Sequence, residues 1–375
     1  MLLVQDIKQK KVMTSSDESY HSIFDKKTGF FFRWGETFKD DPDWCEYGPE
    51  IADIEISTIC HNGCKFCYKS NTSCGTYMTL ETFKDVFDKL PKTVSQIAFG
   101  IGDIDSNPDL YKIMQHCRDN GVIPNITING KRMTPHDYKM LAKLCGAVAV
   151  SYYDDVSCIN AIRYLGEAGL KQINIHCLMA EETYDQCMKA SSMKDWNAYA
   201  EKYLNAVVFL WLKPKGQTNT YHQISEEHYK NVIKNSRCSG TNIGFDSCSA
   251  PHVLKIMPEQ KNYIEPCEST LFSIYINVEG KAFPCSFCEG VEGYDGVDVK
   301  DAWTSEEFKK FRSALLANKD ENGCRNCPVY KLEYSKYTLE PLCKGVDMVI
   351  DENGKCQGTL YSKEAANAQY RGITL

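Results

Sequence analysis

Between residues 50 and 237 the sequence alternates two hydrophobic periods, and few folds tolerate that alternation. Short apolar runs rich in β-branched residues fall at 51–57, 95–100, 123–128, 147–152, 172–178 and 206–212. Strands buried on both faces read this way. Between them lie segments with helical spacing, at 80–90, 110–120, 136–144, 159–168 and 184–204. Thr79 is placed to cap the first, Pro108 and Pro135 stand near first turns, and Gly121 and Gly169 follow two helix ends. Six βα units joined by right-handed crossovers make a parallel sheet, here curved into an incomplete barrel. Ligands of βα barrels collect at the C-terminal ends of the strands, so those ends are where chemistry is expected.

The first such end carries Cys60-His61-Asn62-Gly63-Cys64-Lys65-Phe66-Cys67. Thiolates are soft anionic ligands, and three on one short loop suit one face of an iron–sulfur cube. Three leave one iron open to an outside donor. A structural zinc site would need a fourth protein ligand, which Cys74 or His61 could supply.

The remaining cysteines sharpen the question. There are nineteen in 375 residues. A secreted disulfide scaffold fits small exported domains, and this chain is long, with an apolar start (Met1 to Val4) broken too early for a signal peptide. No run nears the roughly 18 apolar residues of a membrane span. These features point to a cytoplasmic protein whose clustered cysteines bind metal. Cys117, Cys145, Cys158, Cys177 and Cys187 stand singly in expected strands and helices, as small buried hydrophobes do. With 43 basic against 50 acidic residues, the net charge of −7 disfavours nucleic acid as a dedicated partner.

The three-then-two spacing, with an aromatic before the last cysteine, resembles the signature of the radical S-adenosylmethionine (SAM) enzymes. The resemblance implies a six-unit partial barrel and a [4Fe–4S] cluster on Cys60, Cys64 and Cys67. SAM would chelate the open iron and be cleaved reductively to a 5′-deoxyadenosyl radical, with electrons from a low-potential donor such as flavodoxin or ferredoxin. It also implies SAM contacts. Phe66 would lie near the adenine. Gly100-Ile101-Gly102-Asp103 stands where the family has a glycine-rich motif, although it departs from the common Gly-Gly-Glu. Asn129 closes a Thr127-Ile128-Asn129-Gly130 run like the family's Thr-Asn-Gly, and Ser151 ends the fourth strand. His176, Met179, Trp211 and Lys213, near the fifth and sixth strand ends, are candidates to line the cavity, where single residues are more often packing.

A second unit is expected over 238–348, between an N-terminal extension (1–49) containing a β-hairpin and a polar tail (349–375). It holds Cys248, Cys267, Cys285, Cys288, Cys324, Cys327 and Cys343, with a hairpin turning at Glu279-Gly280 and a helix capped by Ser305. This order resembles the SPASM/Twitch extension of radical SAM enzymes, an α+β module carrying auxiliary iron–sulfur clusters. Cys267, Cys285, Cys324 and Cys327 would hold one [4Fe–4S] cluster. No cysteine follows Cys327 until Cys343, so two cysteines of the full SPASM pattern are missing. Cys248, Cys288 and Cys343 remain as possible ligands of a second centre, and a zinc ribbon from the pairs Cys285/Cys288 and Cys324/Cys327 is the alternative. The expected function is an oxidoreductase modifying a peptide or protein side chain. The alternatives are a small-molecule dehydrogenase and a non-catalytic metal-binding protein. Asp103, Asp246 and Tyr152 are unranked candidates for an acid or base.

Overall fold

The computed structural model describes residues 1–37, 40–213, 215–216, 219–260, 264 and 267–317. Cys324, Cys327 and Cys343, and the polar tail, lie outside the described residues.

The N-terminal extension is a four-stranded antiparallel sheet, β1 (Leu2–Ile7), β2 (Lys10–Ser15), β3 (His21–Asp25) and β4 (Phe31–Trp34), in that order. The expected hairpin is β3–β4. The two strands before it were not legible, because β1 buries little and alternates only weakly.

The six expected strands form as β5 (Ile51–Glu55), β6 (Gln96–Gly100), β7 (Ile123–Ile128), β8 (Val148–Ser151), β9 (Ile173–Met179) and β10 (Ala206–Trp211), each parallel to the next. Helices α1 (Leu80–Lys89), α2 (Leu110–Asp119), α3 (Pro135–Leu144) and α4 (Asp155–Glu167) connect them. Thr79 caps α1 by accepting from the Thr82 N–H, and Thr134 and Asp137 form a reciprocal capping box on α3. The single helix expected at 184–204 is instead three short ones, α5 (Tyr184–Ser191), α6 (Met193–Trp196) and α7 (Ala198–Tyr203). Ser192 and Asn197 break it, and Asn197 accepts from the N–H groups of Tyr199 and Ala200 to start a new turn.

The sheet continues past both ends of this run. After α8 (Glu226–Cys238), β11 (Ile243–Phe245) pairs parallel with β10, and α9 (Ala250–Ile256) follows. At the other edge, β12 (Ser273–Ile276) pairs parallel with β5 and turns back into β13 (Lys281–Phe283) and β14 (Val297–Asp298). Gly280 makes the expected turn at φ +82°, a conformation that favours glycine. Helices α10 (Val299–Ala302) and α11 (Glu306–Leu316) complete the described C-terminal part, with Ser305 capping α11.

One buried apolar cluster runs between the barrel strands and helices, through Ile54, Ile97, Ile126, Val150, Ile175 and Phe209. A second, around Met13, Tyr20, Phe272, Tyr275 and Phe311, joins the N-terminal sheet to the β12–β13 hairpin and α11. Among the described residues no helix is long and apolar enough to cross a membrane.

Candidate active site

The C-terminal strand ends surround a cavity of about 660 Å³. Cys60, Cys64, Cys67, Phe66, Gly100, Gly102, Asn129 and Ser151 all line it. Strands β5 to β8 bring these residues, up to 91 positions apart, to one rim.

The cysteine loop is held at both ends. Ile59 bridges to Thr72, the Cys60 N–H donates to the Thr72 carbonyl (2.9 Å), and the Cys67 N–H turns back to the Cys64 carbonyl (3.1 Å). Gly63 takes φ +57° within the turn. Gly102 lies directly beneath: a Cβ there would stand 2.0 Å from the Ile59 oxygen and 2.7 Å from Cys60 Cβ. The glycine is required because the two loops touch backbone to backbone.

Asp103 does not face the cavity. It is 1% exposed, and its carboxylate accepts from the His61 N–H (2.9 Å) and pairs with His61 Nδ1 (2.6 Å), while its other oxygen accepts from Asn129 Nδ2 (2.9 Å). Its place is under the cysteine loop, holding it. Met179 is also away from the cavity and fully buried. Side chains alternate along β9, so His176 and Leu178 line the cavity while Ile175, Cys177 and Met179 turn to the helices. At the end of β10, Leu210, Trp211 and Lys213 line the cavity, and the Trp211 ring also stacks on His252 of α9 at 3.5 Å.

Several lining residues had no sequence signal. Tyr153, just past β8, stacks near Phe66 (6.0 Å), and Tyr221, from the loop after β10, meets the same ring at a tilt (5.2 Å). Glu55, at the end of β5, and Lys69, two residues past Cys67, form a buried ion pair (3.1 Å) that Glu289 joins, and Tyr275 donates to Glu55 (3.1 Å). Phe287 lies against Tyr68 at 4.5 Å. The loop at 285–289 therefore packs directly on the end of the first cysteine loop. Lys215 locks it from a third side, donating to the carbonyls of Phe287 and Glu289 (2.7 Å each).

Electrostatically the cavity is mixed. Burial pushes His176 down to about 4, against the pull of Asp246, so its ring is neutral near pH 7. Burial raises the Cys60 and Cys64 thiols; in Cys64 a hydrogen bond from Tyr153 opposes the rise. Asp246 accepts from the N–H groups of Trp211 (3.1 Å) and Ser249 (3.0 Å) and stands 3.7 Å from the buried Lys213 ammonium. The Tyr152 hydroxyl donates to Asp155.

A partial βα barrel whose mouth carries three thiols beside aromatic side chains defines a class: βα-barrel proteins with the site at the C-terminal strand ends. Residues 54–207 match the Radical SAM superfamily and residues 267–328 match SPASM, an iron–sulfur cluster-binding domain. The chain therefore carries a radical SAM domain and, C-terminal to it, an SPASM domain. The cofactors of these domains are a [4Fe–4S] cluster with SAM, and auxiliary iron–sulfur clusters. Among solved structures, SuiB of Streptococcus suis bound to S-adenosylmethionine is similar (16% identity, 76% of this chain and 72% of that chain covered, TM-score 0.58). So is SuiB bound to precursor peptide SuiA (17%, 76% and 71%, 0.58). The protein anSMEcpe with bound AdoMet and Cp18Cys peptide is a third (15%, 74% and 90%, 0.52). At these identities the likeness is one of fold. A search of the curated proteins gave no match.

Proposed function

We propose that this chain is a radical SAM oxidoreductase that modifies a side chain of a peptide or protein, with Cys60, Cys64 and Cys67 as ligands of the SAM-binding cluster. The observation that carries the reading is the opening of all three cysteines onto one cavity at the strand ends. Three thiolates on a loop pinned at both ends suit a cluster with one iron left for SAM. When bound, the reduced cluster and SAM supply a 5′-deoxyadenosyl radical that abstracts hydrogen from substrate carbon.

The chain's own residues do the rest. Asp103, through His61, sets the cysteine loop, and Gly102 lets the second strand end approach it. Phe66, Tyr153 and Tyr221 offer an apolar wall to a purine. Neutral His176 can accept a proton without first losing one. The substrate class is supported by the peptides bound in the SuiB and anSMEcpe structures of the same fold. A low-potential flavodoxin or ferredoxin would supply the electron.

Anaerobically reconstituted protein, given SAM and a reductant, should form 5′-deoxyadenosine, and Cys60→Ala should not. Equal background from both proteins would remove the enzyme reading. A short Cys- or Gly-rich peptide encoded beside the gene should raise the yield and gain a mass change; no response to any such peptide would remove the substrate class.

A further inference from the structure

The barrel axis is not filled in the ordinary way. Along β6, β7 and β9 the residues facing the helices are buried, whereas those facing the axis keep accessible surface. Ala52, Ile54, Ile97, Ile126 and Ile175 belong to the apolar cluster on the helix side. Asp53, Ala98, Asn125 and Asn174 alternate with them and so face inward. A packed βα barrel fills its axis with layers of bulky branched side chains. Here the inward positions are small or polar, and a polar lumen continues below the cavity at the strand ends.

Asp53 is the carboxylate of that lumen. It keeps accessible surface although β5 lies inside the sheet, between β12 and β6. Its register neighbour on β6 is Ala98, whose methyl group leaves the carboxylate open. Glu55, one inward position higher on the same strand, pairs with Lys69 (3.1 Å) and accepts from Tyr275 (3.1 Å). Asp53 differs: among the described residues its carboxylate has no hydrogen-bond or ion-pair partner. Burial alone lifts it to about 6, so the group is still mostly ionised at pH 7. A desolvated charge without a counter-ion costs free energy, which a cation entering the lumen would offset and an uncharged ligand would not.

We propose that the lumen seats a cationic group of the substrate, an alkylammonium or guanidinium, with the Asp53 carboxylate as its counter-charge. Asp53 stands two residues, about 7 Å along the strand, below Glu55, which lines the cavity above. A lysine or arginine side chain has the form such a shaft takes: a flexible aliphatic stem carrying its charge at the tip. A free amino terminus carries the same charge on a shorter reach. The proposal rests on the peptide-modifying reading and narrows its substrate class.

The test uses the full chain, reconstituted anaerobically and loaded with SAM, and reads binding by calorimetry. The probes are n-butylammonium and n-butylguanidinium, with n-butanol as the uncharged control. Both cations should bind, and Asp53→Asn should weaken them roughly ten- to hundredfold, to the level of butanol. Asp53→Glu, which keeps the charge, should restore binding. Blocked Gly-Gly-Xaa-Gly-Gly peptides with lysine, arginine or norleucine at Xaa, and the norleucine peptide with a free amino terminus, then identify the source of the cation. Tighter binding of the lysine or arginine peptide assigns a side chain, and tighter binding of the unblocked norleucine peptide assigns the terminus. Because the carboxylate has no partner to lose, Asp53→Asn should melt at or above the wild-type temperature; Asp53→Ser replaces it if it does not fold. Cations that bind no better than butanol, or equally well to Asp53→Asn, overturn the proposal, as does a lowered melting temperature in both variants. Wild-type protein that binds the cations yet forms no 5′-deoxyadenosine would instead overturn the enzyme reading and leave the cation seat standing.

Discussion

His176 shows how one buried side chain reports on the cavity. Its ordinary value of 6.5 is lowered to about 4 by burial at the strand ends. Above pH 6.5 both native and unfolded chains are neutral at this site, so it contributes nothing. As pH falls from 6.5 towards 4, the unfolded chain binds a proton that the native chain refuses, and stability is lost. The loss stops once the native ring is protonated, below about pH 4. By pH 5 it should amount to about 1–2 kcal/mol, allowing for partial solvent access at the cavity wall. His176→Gln should flatten this part of the profile, read as a smaller drop in thermal midpoint between pH 7 and pH 5. An identical drop in both proteins would mean the ring titrates normally and the cavity is wetter than its geometry implies. Asp103 makes the complementary point. A carboxylate in the glycine-rich turn invited a direct cofactor role, but all its described bonds go to the two loops it separates.

At the level of elements, the site depends on how closely two strand-end loops approach. The β5 loop carries the cysteines and the β6 loop carries Gly102, whose position leaves no room for a methyl group beneath Ile59. Gly102→Ala should displace the cysteine loop by the order of an ångström, a misplacement that can cost about a hundredfold in rate. The expected result is a comparable fall in 5′-deoxyadenosine formation, together with weaker iron retention on gel filtration. Gly240→Ala, at a glycine with open space around it, should match the wild type. Equal activity in both variants would show that the loops are not in register as described. The β9 strand carries the same lesson in another form. Its alternation decides that His176 and Leu178, and not Met179, reach the cavity.

For the molecule as a whole, Arg33 is the joint between its parts. From β4 it binds Asp41 (3.1 Å), Glu50 before β5 (3.1 Å) and Glu268 before β12 (3.2 Å), and it lies 3.6 Å over the Phe272 ring. Glu50 is 3% exposed and also accepts from the Tyr20 hydroxyl. Burial raises its carboxyl, with Arg33 pulling the other way. Removing one partner of a buried pair costs about 3–5 kcal/mol, because the other is left uncompensated. Arg33→Met should therefore lower the denaturation midpoint by about 3 kcal/mol in stability. Adding Glu50→Gln should recover part of that loss by removing the orphaned charge. No recovery in the double variant would mean that Arg33 acts by packing alone.

What could be read directly from the chain was whatever depends on neighbours in sequence. The six strands and the first four helices follow from periods of two and 3.6, the caps at Thr79 and Ser305 from residue type, and the turn at Gly280 from a backbone only glycine adopts easily. The three-cysteine loop carried its chemistry in its own spacing. Tertiary structure decided the rest, because it depends on which distant segments are brought together. Tyr221 meets Phe66 across 155 positions, Lys69 pairs with Glu289 across 220, and Lys215 reaches the Phe287 carbonyl across 72. No local pattern encodes such meetings. They arise when a curved sheet brings its two edges to one mouth.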